Sequence, residues 1–375
     1  MRRRLALVLL LPALAGCFGS SPTGPKPAEL PELPQARAPR VLWAVAVGAA
    51  GAFAFQPALA GDSVVAAARD GTVVSFGIAD GRERWRATLG AGLSGGVGAD
   101  SRLAVVASDE GEVFALGAAD GALRWRARVS SEVLAAPRVH GGLVLVRSAD
   151  SRIFAFGAED GKRRWAYQRA PTSLMVRTPA GITPQADSLY AGFSGGRLVA
   201  LSLANGALRW EAAVAQPKGA TELERVADVV GDPVAIGREV CAAAFQGRIA
   251  CFDAQNGNQL WARDISSMTG ASADARYAYV SDARGAVHAL DRSNGRSLWK
   301  QDRLAHRQLT LPLPLDAQVA IADLEGYVHL LSRDSGAFVG RAATDGSAVR
   351  AAPQRLPGGG FLVQTARGGL FALAP

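Results

Sequence analysis

From residue 40 onward, short apolar runs are punctuated by Gly, Asp-Gly and Asn-Gly, and no stretch holds a 3.6-residue period. The pattern is plainest from Gly111 to Trp125, "GEVFALGAADGALRW". A run rich in apolar residues leads to Asp120-Gly121, which supplies the positive φ that a tight hairpin needs, and a short Arg/Trp strand returns. A second pair of runs lies upstream in each unit: "LAAPRV" and "LVLVRSA", split by His140-Gly141-Gly142, precede Ser151. One unit is therefore predicted to hold four antiparallel strands.

The phrase recurs. Copies start at Gly71, Gly111, Ser151, Gly196, Gly247, Gly285, Gly326 and Gly369, and Trp closes six of them, at 85, 125, 165, 210, 261 and 299. Four strands per unit of about 40 residues is the signature of a β-propeller blade. The fold class expected is all-β, an eight-bladed β-propeller of four-stranded antiparallel blades over residues 41–375. The last copy stops at Pro375 before its Trp strand, while "RVLWAVAVG", Arg40 to Gly48, is an orphan of that kind. The N-terminal strand with Trp43 should complete the last blade, closing the ring and removing an exposed edge. Each Trp reads as inter-blade packing, with an upper bound of roughly 4 to 6 kcal/mol at about 25 cal/mol per Å² of buried area.

The first forty residues follow another pattern. Arg2, Arg3 and Arg4 precede an apolar run from Leu5 to Leu11, then "LAGC" ends at Cys17. The apolar core is far shorter than the roughly 20 residues a spanning helix needs, so 1–16 reads as a signal peptide. The position of Cys17 makes it a bacterial lipoprotein signal, with lipidation at Cys17 and membrane attachment through the lipid anchor. Residues 17–40 carry Pro22, Pro25, Pro27, Pro31, Pro34 and Pro39 and predict an extended, semi-rigid tether without packed elements. The formal charge of +8 falls to +5 once the three leader arginines are removed. In an exported chain this excludes nucleic acid as partner and leaves anionic headgroups as the charge partner.

Candidate chemistry is sparse. Cys241 and Cys251, in "VCAAAFQGRIACFD", face each other across a turn near Gln246-Gly247. Both a disulfide and two small buried side chains fit, since Ala115, Ala155, Ala200 and Ala289 occupy the place of Cys251 in other copies. "GLSGG" from Gly92 and "GFSGG" from Gly192 match a nucleophile elbow, and "GAGLSG" from Gly90 a dinucleotide fingerprint. These motifs need a strand feeding a helix, and here they read as loops of an all-β repeat. His140, His288, His306 and His329 show no ligand spacing. No catalytic residue, metal site or cofactor is expected.

The Trp-ended blades "DGALRW" and "NGALRW" resemble the repeats of pyrroloquinoline-quinone enzymes, which are also eight-bladed. More specifically, the chain resembles the BamB family, the propeller lipoproteins of the bacterial β-barrel assembly machinery. That resemblance runs through "SLMVR" from Ser173, "GATELERVADV" from Gly219, "NGNQLWARDI" from Asn256, "RLAHRQLTLP" from Arg303 and "LEGYVHLLSRDSGAFVG" from Leu324. The quinone enzymes use an adjacent cysteine pair and a calcium-binding set, whereas Cys241 and Cys251 stand ten apart. The BamB resemblance implies a non-catalytic scaffold on the periplasmic side of the outer membrane, and Phe18 after the lipidated cysteine agrees with outer-membrane sorting. It implies docking on the periplasmic POTRA domains of the barrel subunit BamA, and carries partner-binding roles onto Leu174, Val176, Arg177 and Asp228. Val230 stands where the family usually has an acidic residue.

Blade geometry points to the same place. Links from one blade's last strand to the next blade's first strand share one face of a propeller, and the surplus length falls there. It forms "APTSLMVRTPAGITP" from Ala170 and "AQPKGATELERVADVV" from Ala215. Long loops on a rigid scaffold are where binding usually resides. Apolar Leu174, Met175 and Val176 beside Arg177 suit a protein contact. Strand addition on a blade's outer edge is a mode by which unfolded outer-membrane proteins could bind, and no residue pattern selects it.

Overall fold

The computed structural model describes residues 25–33, 37–170, 172 and 174–375; the leader and Cys17 lie outside the described residues. Eight four-stranded antiparallel sheets follow one another along the chain. They span residues 58–88, 93–128, 138–168, 182–213, 229–263, 267–301 and 313–343, and the eighth combines 354–374 with Arg40–Ala46. We number them blades 1 to 8 in that order. Each of blades 1 to 7 runs from its first strand to its fourth in simple sequence.

Burial explains the sequence pattern. The middle strands of blade 2, Leu103–Ser108 and Glu112–Gly117, are buried along nearly their whole length because neighbouring blades cover both faces. Their near-continuous apolar character follows. The fourth strand, Leu123–Arg128, alternates exposed positions with a buried Trp125. The "GLSGG" run differs from expectation: Leu93–Ala99 is the first strand of blade 2, and Ser94 is buried, donating from Oγ to the Val133 carbonyl at 2.8 Å.

The seven tryptophans do one job. Each indole Nε1 donates to a carbonyl of the next blade: Trp43 to Ile78, Trp85 to Ala118, Trp125 to Ala158, Trp165 to Leu203, Trp210 to Ala254, Trp261 to Arg292 and Trp299 to Arg333, at 2.6–3.0 Å. Each ring also lies on the glycine of the next blade's Asp-Gly or Asn-Gly type turn. At Gly121 a Cβ would stand 2.5 Å from the Trp85 ring, and the backbone holds φ +67°, so two independent constraints fix glycine. Opposite the Trp within its own blade the partner is small, Ser75, Ala115, Ala155, Ala200, Cys251, Ala289 or Ala372. Cys251 is also directly opposite Cys241, with Cα atoms 4.0 Å apart, and the structure joins their sulfurs.

The closing strand pairs Arg40 with Ala374 through Ala46 with Gly369, and Trp43 latches blade 8 to blade 1. The junction between blades 7 and 8 carries no such latch, and both halves are missing for one reason. Blade 8 is made from the two chain ends, so no turn joins its third and fourth strands, and a Trp from blade 7 would have nothing to rest on. Gly340 occupies that place, opposite Leu330. A Cβ on it would collide with the Arg37 carbonyl of the arriving N-terminal chain.

That arriving chain corrects the picture of a free tether. Arg37 N donates to Val339 O at 3.2 Å, Ala28 N to Ala305 O at 2.9 Å, Leu30 packs with the core shared by blades 6 and 7, and Pro31 and Pro39 are buried. Two side chains of the blade 6 to blade 7 link and of blade 7 hold it there. Arg307 Nη1 donates to Ala28 O at 2.9 Å and Arg341 Nη1 to Pro31 O at 3.0 Å.

Candidate partner-docking face

A propeller has two faces. The turns between third and fourth strands, with their Asp-Gly pairs, define one, here the hairpin face. The blade-to-blade links and the turns between second and third strands define the other, the link face. Both long insertions are links, residues 169–181 between blades 3 and 4 and 214–228 between blades 4 and 5.

The structure brings the two loops together through Asp228. Its carboxylate accepts from Val176 N at 2.7 Å and from Gly195 N at 3.1 Å, and the residue is 5% exposed. Asp228 therefore departs from the expected partner contact: both oxygens are used inside the chain, and it positions the first loop. Val176 is half-buried by the same contact, and Val230 is buried in the first strand of blade 5. Arg177 lies on the loop's outer side but reaches back to Glu132, with Nε and Nη2 donating at 3.0 and 2.5 Å. The hydrogen bonds to Glu132 raise the guanidinium pKa above its ordinary value. Below the loop, Arg147 donates to Gly181 O at 3.3 Å and stands over the Phe193 ring at 4.8 Å; burial pushes its pKa down to about 10.

Two apolar side chains are left facing outward, Leu174 at 44% and Met175 at 39% exposure. The second loop adds one that the sequence reading missed. Glu224 accepts from Ala220 N at 2.8 Å and Thr221 N at 3.0 Å, while Glu224 N donates to Thr221 Oγ1 at 3.3 Å, a reciprocal cap that makes a compact turn. Those backbone donors hold the Glu224 carboxyl below its ordinary pKa. The turn presents Leu223 at 71% exposure. The available signal was a single leucine inside the polar run "ATELER". Toward the ring axis the same face opens into a shallow mouth lined by Phe53, Leu134, Met268 and Arg350, with the Arg138–Asp232 ion pair on its wall.

The Trp-latched repeats define the class: an eight-bladed, quinoprotein-like propeller with two long loops bearing outward apolar side chains on its link face. The family described as outer membrane protein assembly factor BamB matches residues 69–301. A BamB of Bordetella pertussis is 42% identical over 98% of this chain and 96% of its own length, and one of Pseudomonas aeruginosa is 44% identical over 94% and 93%. The chain belongs to the BamB family of outer membrane protein assembly factors. The crystal structure of BamB from Moraxella catarrhalis superposes with a TM-score of 0.83 at 27% identity, over 90% of this chain and 100% of that one. A quinohemoprotein alcohol dehydrogenase from Comamonas testosteroni reaches 0.70 at 14% identity over 89% of this chain and 76% of that one, a likeness of fold alone.

Proposed function

We propose that this chain is a non-catalytic scaffold that docks through its link face on the periplasmic POTRA domains of BamA and so assists insertion of β-barrel proteins into the outer membrane. Family membership makes it an outer membrane protein assembly factor within that machinery. The observation that supports this docking mode is the exposure of Leu174, Met175 and Leu223 on two loops hydrogen-bonded from within at Asp228 and Glu224. Desolvating a few such anchors commonly supplies most of an interface's energy. Cys17 is acylated after removal of 1–16 and holds the ring at the periplasmic surface of the outer membrane; Cys17→Ser abolishes membrane fractionation or leaves the precursor uncleaved.

Capture of BamA from solubilised envelopes tests the docking. Leu174→Ala with Arg177→Ala abolishes capture while the melting temperature stays near wild type, because Leu174 is exposed and the Arg177–Glu132 pair is an exposed ion pair that adds little to folding. Wild-type capture by that pair would refute this face as the docking surface.

A further inference from the structure

The motif "RLAHRQ" and the buried charges of blade 7 have no part in the docking face. Arg307 is 2% exposed and pairs with Asp323 at 2.6 Å and with Glu325; Asp323 and His329 are fully buried, 3.0 Å apart, and Arg341 Nε donates to His329 Nδ1 at 3.3 Å. Burying this many ionised groups is costly unless each finds a partner. Each guanidinium also gives one donor to the N-terminal segment, Arg307 Nη1 at Ala28 O and Arg341 Nη1 at Pro31 O. The cluster is thus a built dock for the chain's own residues 25–33.

The path of that segment matters. Arg40, the first residue of the closing strand, pairs with Ala374 at the hairpin-face end, so a chain continuing freely from it would leave from the hairpin face. Instead Arg37 lies beside Val339 near that face, Pro31 beside Arg341, Ala28 beside the blade 6 to blade 7 link, and Pro25 near Met268, Ala283 and His306 on the link face. We propose that the described residues 25–33 and 37–39 form a strap that carries the anchor's exit from the hairpin face to the link face, so that the anchored ring turns its loop-bearing link face toward the membrane. This rests on the reading that Cys17 is lipidated. A free tether from Cys17 to Arg40 could span about 80 Å, whereas Cys17 to Pro25 spans at most about 28 Å. Blade strands of six residues make the ring about 20 Å thick, so the shorter reach distinguishes one face from the other.

The full-length lipidated protein, reconstituted in phosphatidylethanolamine and phosphatidylglycerol vesicles containing a headgroup-attached quencher, provides the test. With Cys17 acylated and Cys241 bonded to Cys251, a single introduced cysteine takes the fluorophore, at exposed Ala283→Cys on the link face or Ser293→Cys on the hairpin face. Quenching is expected at Ala283 and much less at Ser293. The difference should vanish on inserting a flexible Gly-Ser stretch of about 12 residues after Ser21, which lengthens the reach and leaves the dock intact. It should also vanish in Arg307→Ala with Arg341→Ala, together with new proteolysis within 25–39. Equal or stronger quenching at Ser293 with the strap intact, or a difference that survives the insert, would overturn the proposal. Co-sedimentation with vesicles reads the anchor separately: persistence in Cys17→Ser defeats the lipidation reading and the strap with it, whereas its loss beside a quenched Ser293 defeats the strap alone.

Discussion

His329 shows how much one buried side chain can bind together. The neutral ring donates from Nε2 to Asp323 and accepts at Nδ1 from Arg341, with Arg307 and Glu325 completing the charges around it. Burial holds its pKa below the ordinary value, against the pull of Asp323, because a proton on Nδ1 would face Arg341. Asp323 is also burdened by burial, but bonds from His329 and Arg307 bring its pKa below the carboxylate range. A depressed folded-state pKa gives stability that is present above the unfolded value and lost as pH falls, and for the histidine that loss begins near about 6.5. The melting temperature should drop as pH is lowered from about 7 to about 5, and His329→Gln should flatten that dependence even if it lowers stability throughout. Asp228 makes a second case at this scale. Asp228→Ala removes the acceptor of two loop amides, at about 1.5 to 3 kcal/mol for bonds to a charged group. Limited proteolysis should then cut within 172–181 while the blades resist.

Among elements, the Trp latch decides which changes are tolerated. Trp43→Ala should cost about 3 to 5 kcal/mol, read by denaturant unfolding, since it empties a packed site and orphans the Ile78 contact. Gly340→Trp is the informative converse. Restoring the repeat's consensus residue should destabilise by about 1 to 3 kcal/mol or more, because the Arg37 carbonyl already fills the space. If that substitution stabilises the ring, the explanation of the missing latch is wrong. Replacing Cys241 and Cys251 by Ala should lower stability by about 2 to 3 kcal/mol under oxidising conditions and leave the reduced protein little changed. The blades, their order and the closing strand were legible because Trp, Asp-Gly and the apolar runs are local and repeated. The strap was not, since Pro-rich composition describes a chain with nothing to pair with, and Arg307 and Arg341 declare their free donors only after folding. The burial of Asp228 was hidden likewise: an acidic residue after "ERVA" reads as surface until Val176 and Gly195 arrive from other parts of blade 4 and its link.

For the whole molecule, closure and orientation work together. Deleting residues 41–48 removes the outer strand of blade 8 and its latch to blade 1, so the ring should unfold cooperatively at lower temperature rather than fray at one end. The ring carries its two long loops on one face, and that face is the one proposed to receive BamA. Hydrogen exchange of the mature protein with and without the isolated POTRA domains addresses that proposal most directly. Slower exchange confined to residues 174–178 and 221–226, with the Asp-Gly turns of the hairpin face unchanged, is the expected result; protection confined to those turns, with both loops exchanging as in the free protein, would contradict it.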